Sequence, residues 1–202
     1  MSTKKVRFVT DYTLQPIPGK TLSHRLPEGT ALVLEGGGLR GYYSCGVMEA
    51  FMEKDLLFPY IIGVSAGAAN ALSYISGQPG RSREIIEHYV GNPDYVSTRN
   101  LLTKHTMFDF DYIFGTVPEK HIFFDWDKFH EQDTCFLTGA MNCADGKTVW
   151  FEKDTLKAPF MASRASCSVP LITKIQHYMG YDLLDGGISD PIPIEKSLAD
   201  GN

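Results

Sequence analysis

The chain has 202 residues, of which 43% are hydrophobic and 21% charged, and its net charge is -5. That length suits one domain with a real core and falls short of two ordinary ones, and the composition is neither that of a disordered chain nor that of a membrane-spanning one. An acidic balance with no run of Lys or Arg disfavours nucleic-acid binding, and no segment approaches the roughly 18 apolar residues of a spanning helix.

Residues 1–29 carry Pro16, Pro18, Gly19, Pro27 and Gly29 with little periodicity. They read as an extended lead-in with one short strand at Val6 to Val9. The early positive charge is followed by no apolar stretch of signal-peptide length, so a cytoplasmic protein is expected. Cys45, Cys135, Cys143 and Cys167 show no C-x-x-C spacing, which fits reduced thiols in that compartment. No His pair stands at metal-ligand spacing near a Cys pair, so no metal is expected.

The domain proper is read over residues 30–202. Ala31-Leu32-Val33-Leu34 is a continuous apolar run suited to a strand buried on both faces. Glu35-Gly36-Gly37-Gly38-Leu39-Arg40-Gly41 follows, and Tyr43, Val47, Met48, Phe51 and Met52 then recur at helical spacing. Strand, glycine loop and helix in that order leave bare backbone N–H groups where the helix dipole favours negative charge. The loop reads as an anion cradle, a dinucleotide fingerprint G-x-G-x-x-G, or an ordinary turn. The fingerprint also wants an acidic residue at the end of the next strand. That strand is Tyr60 to Val64, and it ends in Ser65 instead.

Gly63-Val64-Ser65-Ala66-Gly67 has the form G-x-S-x-G. In a strand-to-helix elbow the glycines relieve crowding, so the serine can be held strained with its hydroxyl projecting from the sheet. Ser65 is the candidate nucleophile. Ala66 to Ser76 then reads as a helix, broken by Pro79-Gly80, and Ser82 to Val90 as an amphipathic one. Residues 100–129 hold Phe108, Phe110, Tyr112, Phe114, Phe123, Phe124, Trp126 and Phe129, which are either core or the lining of an acyl pocket. Asp109, Asp111, Asp125 and Asp127 read as solvated loop positions. Two strands flank Asp145-Gly146, a helix spans Ala158 to Ser168, and a second strand pair delivers Asp185-Gly186-Gly187 at its tip.

A serine hydroxyl needs a base. All six histidines precede Asp185, whereas in the α/β-hydrolase order the histidine comes last. His177 serves only with an earlier carboxylate such as Asp145. Asp185, leaving a strand end before two glycines, is the preferred partner.

With these three motifs in order, the chain from about Thr30 to Asn202 resembles the patatin-like phospholipases of bacterial type. The resemblance implies a three-layer α/β/α fold around a mostly parallel sheet. It implies a Ser-Asp dyad acyl hydrolase acting on lipid esters, without a catalytic histidine, metal or other cofactor. Carried over by position, Ser65 would attack the ester and Asp185 would take its proton. The amides of Gly36, Gly37 and Gly38, with that of Ala66, would face the oxyanion, each such donor being worth on the order of 3 kcal/mol. Arg40 would fix the loop or attract a lipid phosphate. The lipid or acyl ester is then the expected partner, with peripheral membrane contact open. Such domains continue past a helix like the one before Asn202, so a shortened domain with an apolar face near Leu198 is expected. Two other readings stand beside this one, a nucleotide-binding domain using the glycine loop and a catalytically silent lipid-binding module.

Overall fold

The structure, a computed structural model, describes residues 16–202; the strand expected at Val6 to Val9 lies outside the described residues. Residues 16–27 hold no helix, include β1 (His24–Arg25) and lead into a turn at residues 28–29. They are tied down: the amide of Lys20 donates to the Gly77 carbonyl and that of Leu22 to the Gln132 side chain, and Leu22 is buried in the core. β2 (Ala31–Leu34) leads through a 3-10 turn at Gly38–Arg40 into α1 (Gly41–Glu53). The two-residue β3 (Leu56–Leu57) pairs in parallel with β1 and is followed by β4 (Tyr60–Val64), α2 (Ala66–Ile75) and α3 (Arg81–His88).

The aromatic stretch folds as α4 (Thr98–Lys104), a π-helical segment at Tyr112–His121 and α5 (Trp126–Glu131). Its aspartates are more than solvated loop residues. Asp125 caps α5 by accepting the Lys128 amide, Asp109 accepts the amides of Asp111 and Tyr112, and Asp111 pairs with the buried Arg164 at 2.6 Å. Carboxylates beside bare N–H groups at helix starts are stabilised there, which the residue type alone does not disclose. The hairpin read around Asp145-Gly146 is β5 (Cys135–Asn142) with β6 (Thr148–Glu152). α6 (Met161–Ser166), β7 (Gln176–Tyr178), β8 (Tyr181–Asp185) and α7 (Ile194–Ala199) complete the described chain.

In the six-stranded sheet β2, β4 and β5 are parallel, and its remaining ladders, β5 with β6, β5 with β8 and β7 with β8, are antiparallel. β4 is buried at every position, as a strand covered on both faces must be. Alternation divides the sheet between two clusters. Leu34, Ile61, Phe136, Ala140 and Phe151 join the large core with α1, α2, α5 and α6, while Tyr60, Ile62 and Leu137 form a smaller one with Val33 and Trp150. α7 lies beside β2 on the smaller side, where the Tyr60 hydroxyl donates to Asp200 at 2.6 Å. Helices therefore flank the sheet on both faces. Ile194 and Leu198, one turn apart on α7, are 51% and 63% exposed.

Candidate active site

β4 ends at Val64 and α2 begins at Ala66, so Ser65 alone makes the turn. Its φ of 52° and ψ of -129° lie where a side-chain-bearing residue is strained. The two glycines of the motif allow the turn by close approach. A Cβ on Gly63 would stand 2.9 Å from the Ala68 amide nitrogen, and one on Gly67 would stand 2.6 Å from the carbonyl oxygens of both Leu34 and Glu35.

Register explains why Asp185 arrives beside Ser65. β6 runs along one edge of β5 at residues 137–141, which leaves the other edge to be shared. β4 takes residues 135–139 of that edge in parallel, and β8 takes 140–142 in antiparallel. The two strands meet end to end: Val64 sits opposite Gly139 and Asp185 opposite Ala140. Gly186 permits the close approach, since a Cβ there would lie 2.2 Å from the Gly139 carbonyl oxygen. The Ser65 hydroxyl donates to Asp185 Oδ2 at 2.8 Å, across 120 residues of sequence, and the Gly187 amide donates to Oδ1 at 2.8 Å. Both side chains are nearly buried, Ser65 at 9% exposure and Asp185 at 5%. Burial raises the Asp185 pKa above the ordinary carboxylate value, against the opposing pull of the Ser65 and Gly187 hydrogen bonds.

The glycine loop sits against this pair, a Cβ on Gly36 standing 3.1 Å from that of Ser65. Its amides are not equivalent. The Gly36 N–H donates to the Pro191 carbonyl at 3.1 Å and so is already engaged, which corrects the expectation of an oxyanion donor there. The amides of Gly37, Gly38 and Ala66 have no acceptor among the described residues. Gly38 takes φ 55°, a conformation that favours glycine. Arg40 folds back over Gly37, its guanidinium 3.2 Å from where a Cβ would be, and it stays exposed with no carboxylate partner among the described residues.

Sequence reasoning missed Ser166. Its fully buried hydroxyl donates to the Gly139 carbonyl at 2.6 Å and accepts the Ser65 amide at 2.7 Å, so α6 fixes the backbone of the strained turn. The small residues before Pro170 were the available signal. His177, the alternative base, lies on the exposed β7–β8 hairpin paired with Asp182, and no histidine lines the cavity that opens at Ser65.

That cavity has a volume of about 370 Å³. It runs beside α2 under Ile85, Ile86, Phe108, Phe110 and Phe114, with Leu39 and Val169 among its partly exposed lining. The aromatic stretch therefore serves both ends: Phe108, Phe110 and Phe114 line the cavity, Phe124 and Phe129 pack in the core, and Phe114 belongs to that core as well.

Comparison with known proteins adds the following. A family profile described as patatin-like phospholipase matches residues 32–197. An uncharacterized protein of Escherichia coli K12, YjjU, is 29% identical over 193 residues, covering 94% of this chain and 54% of that protein. An uncharacterized NTE family protein of Mycobacterium tuberculosis H37Rv, Rv1063c, is 27% identical over 171 residues, covering 81% of this chain and 44% of that protein. The chain thus spans about half the length of the curated relatives it matches. The crystal structure of VipD from Legionella pneumophila aligns over 93% of this chain and 51% of that one, at 15% identity and a TM-score of 0.45.

Proposed function

The chain belongs to the patatin-like phospholipase family, and from that membership together with the Ser65–Asp185 contact we propose that it is a serine acyl hydrolase that cleaves lipid acyl esters with a two-residue catalytic apparatus. The observation that carries the reading is the 2.8 Å hydrogen bond between a strained serine that lines an apolar cavity and a buried carboxylate. In the first half-reaction the Ser65 oxygen bonds to the ester carbonyl carbon while its proton passes to Asp185 Oδ2. The tetrahedral oxyanion is met by the amides of Gly37, Gly38 and Ala66. Collapse breaks the bond to the alcohol, which leaves with the proton from Asp185, and Ser65 is acylated. In the second half-reaction water attacks the acyl carbon and gives a proton to Asp185. The acid departs and Ser65 recovers its proton.

A base with a raised pKa accepts a proton more readily than a free carboxylate, so the burial of Asp185 serves the chemistry. Ser166 holds the Ser65 amide and so keeps the hydroxyl on Asp185. The cavity takes the acyl chain, its apolar lining contributing about 0.8 kcal/mol per buried methylene. No helix among the described residues is long and apolar enough to cross a membrane. Leu39, at 67% exposure beside the glycine loop, and Leu171, at 96%, supply apolar contact with a bilayer, which suits an acidic chain better than attraction by charge. The exposure of Arg40 and its lack of a carboxylate partner among the described residues support a contact between it and a lipid phosphate.

The test is turnover of nitrophenyl acyl esters and of phosphatidylcholine vesicles. Ser65→Ala is expected to lose at least about a thousandfold on both, in the manner of nucleophile removals. Vesicle binding with no cleavage of either substrate, or unchanged turnover in Ser65→Ala, would overturn the reading.

A further inference from the structure

One residue in the cavity does not suit an acyl chain. Arg81, the first residue of α3, lines it and is only 4% exposed. Its Nε donates to the Phe123 carbonyl at 3.3 Å, Nη1 to the Ser73 hydroxyl at 3.1 Å and Nη2 to the Ile122 carbonyl at 3.3 Å. A guanidinium has five N–H groups, so two of them have no acceptor among the described residues. Its face lies 5.0 Å from the centre of the Phe124 ring. Every one of these partners is neutral, and no carboxylate among the described residues pairs with it. Burial lowers its pKa with no acidic group acting the other way. A buried cation without a counter-charge is costly, and an anion delivered by a ligand relieves that cost.

Helix α2 gives the distance from the chemistry. Ala66, Ala69, Asn70, Leu72 and Ser73 line the cavity along successive turns. Ser73, which accepts from Arg81, lies eight residues beyond Ser65, or about 12 Å along the axis. An extended acyl chain advances about 1.3 Å per carbon, the projection of a C–C bond of ~1.5 Å, so about ten carbons span that distance.

We propose that the acyl cavity has a second, anionic subsite at Arg81 and Ser73, and that the preferred acyl group is a medium-length chain ending in a carboxylate, as in an oxidatively shortened or dicarboxylic acyl ester. This rests on the acyl-hydrolase reading and names its substrate class. The ester carbonyl lies at Ser65 while the distal carboxylate accepts the two spare guanidinium N–H groups. Nε, Nη1 and Nη2 each make one bond, so the two spare N–H groups are one on each Nη, matching in number the two oxygens of a carboxylate.

The experiment compares nitrophenyl decanoate with the nitrophenyl monoester of decanedioic acid at pH 8. In the native protein the carboxylated ester is expected to have at least a tenfold higher kcat/KM, although a bare apolar pocket would favour the plain one. Arg81→Met is expected to reverse the ratio, and Arg81→Lys to retain part of the preference. A general loss through disturbed packing lowers both esters together and cancels in the ratio. Preference for the plain ester in the native protein, or a preference unaffected by Arg81→Met, would overturn the proposal. Binding separates this outcome from failure of the hydrolase reading. In Ser65→Ala, monomethyl decanedioate is expected to displace a fluorescent fatty acid at concentrations at least tenfold lower than methyl decanoate does. Equal displacement would count against the subsite whether or not either ester is cleaved.

Discussion

At the scale of single residues the site turns on one carboxylate. Asp185 is held at Oδ2 by Ser65 and at Oδ1 by the Gly187 amide, in surroundings that disfavour its charge. Its pKa is raised in the folded state, so the folded protein holds that proton more tightly than the unfolded chain does. The stability cost of ionising it is absent below the unfolded value of about 3.9, grows as pH rises toward the folded value, and is complete above it. Asp185→Asn keeps the shape and removes the charge. Its melting temperature at pH 7 is expected to exceed that of the native protein, with the gap closing toward low pH, while ester turnover falls by about 10²–10⁴ as for loss of a general base. A variant less stable than native at pH 7 would show that the ionised carboxylate stabilises the fold instead. The sequence pointed to Asp185 through its position before two glycines. It gave no sign that Gly36 would be spent on Pro191, because that bond depends on where a distant loop comes to rest.

At the scale of elements, the elbow depends on β2, β4 and α2 approaching more closely than side chains allow. Gly67 is the tightest point within the G-x-S-x-G motif, facing two backbone carbonyl oxygens that cannot move aside as a flexible side chain would. Gly67→Ala is expected to cost about 1–3 kcal/mol, the range of overpacking, and to lower turnover by shifting Ser65 against the glycine loop. Gly46 is the control. It lies within α1, exposed, with open space where a Cβ would go, so Gly46→Ala is expected to be neutral or to stabilise by about 0.5–1 kcal/mol. Chemical denaturation of the two variants checks the pair, and equal stability would mean that the elbow tolerates a methyl group. These elements were legible because their signals are local: an apolar run, a glycine loop and a small-residue helix. The π-helical segment and the capping roles of Asp109 and Asp125 were not, since aromatic density says nothing about backbone path and a carboxylate in a loop looks the same whether or not an amide faces it.

At the scale of the whole molecule, a mixed sheet brings two strand ends together on one edge of β5. Parallel pairing carries Ser65 to the end of β4, and antiparallel pairing carries Asp185 to the same point from the opposite direction. Three weak motifs in order carried a resemblance to the patatin-like phospholipases, and it was that resemblance which implied the pairing of Ser65 with Asp185 from sequence. The anchor supplied by Ser166 and the cation at Arg81 stayed hidden, since a run of small residues does not say which serine is anchored to the turn and an isolated arginine at a helix start carries no pattern. Both acquire a role only when the fold sets them against a distant backbone or a cavity.

The dyad itself is tested most directly by the rate of labelling with a fluorophosphonate as a function of pH, with the site of attachment located by mass spectrometry. The account predicts one adduct, on Ser65, forming at a rate that falls on the acid side through a single group titrating above the ordinary carboxylate value, with the same profile in His177→Ala. An adduct on another residue, or an acid limb near 6.5 that disappears in His177→Ala, would contradict it.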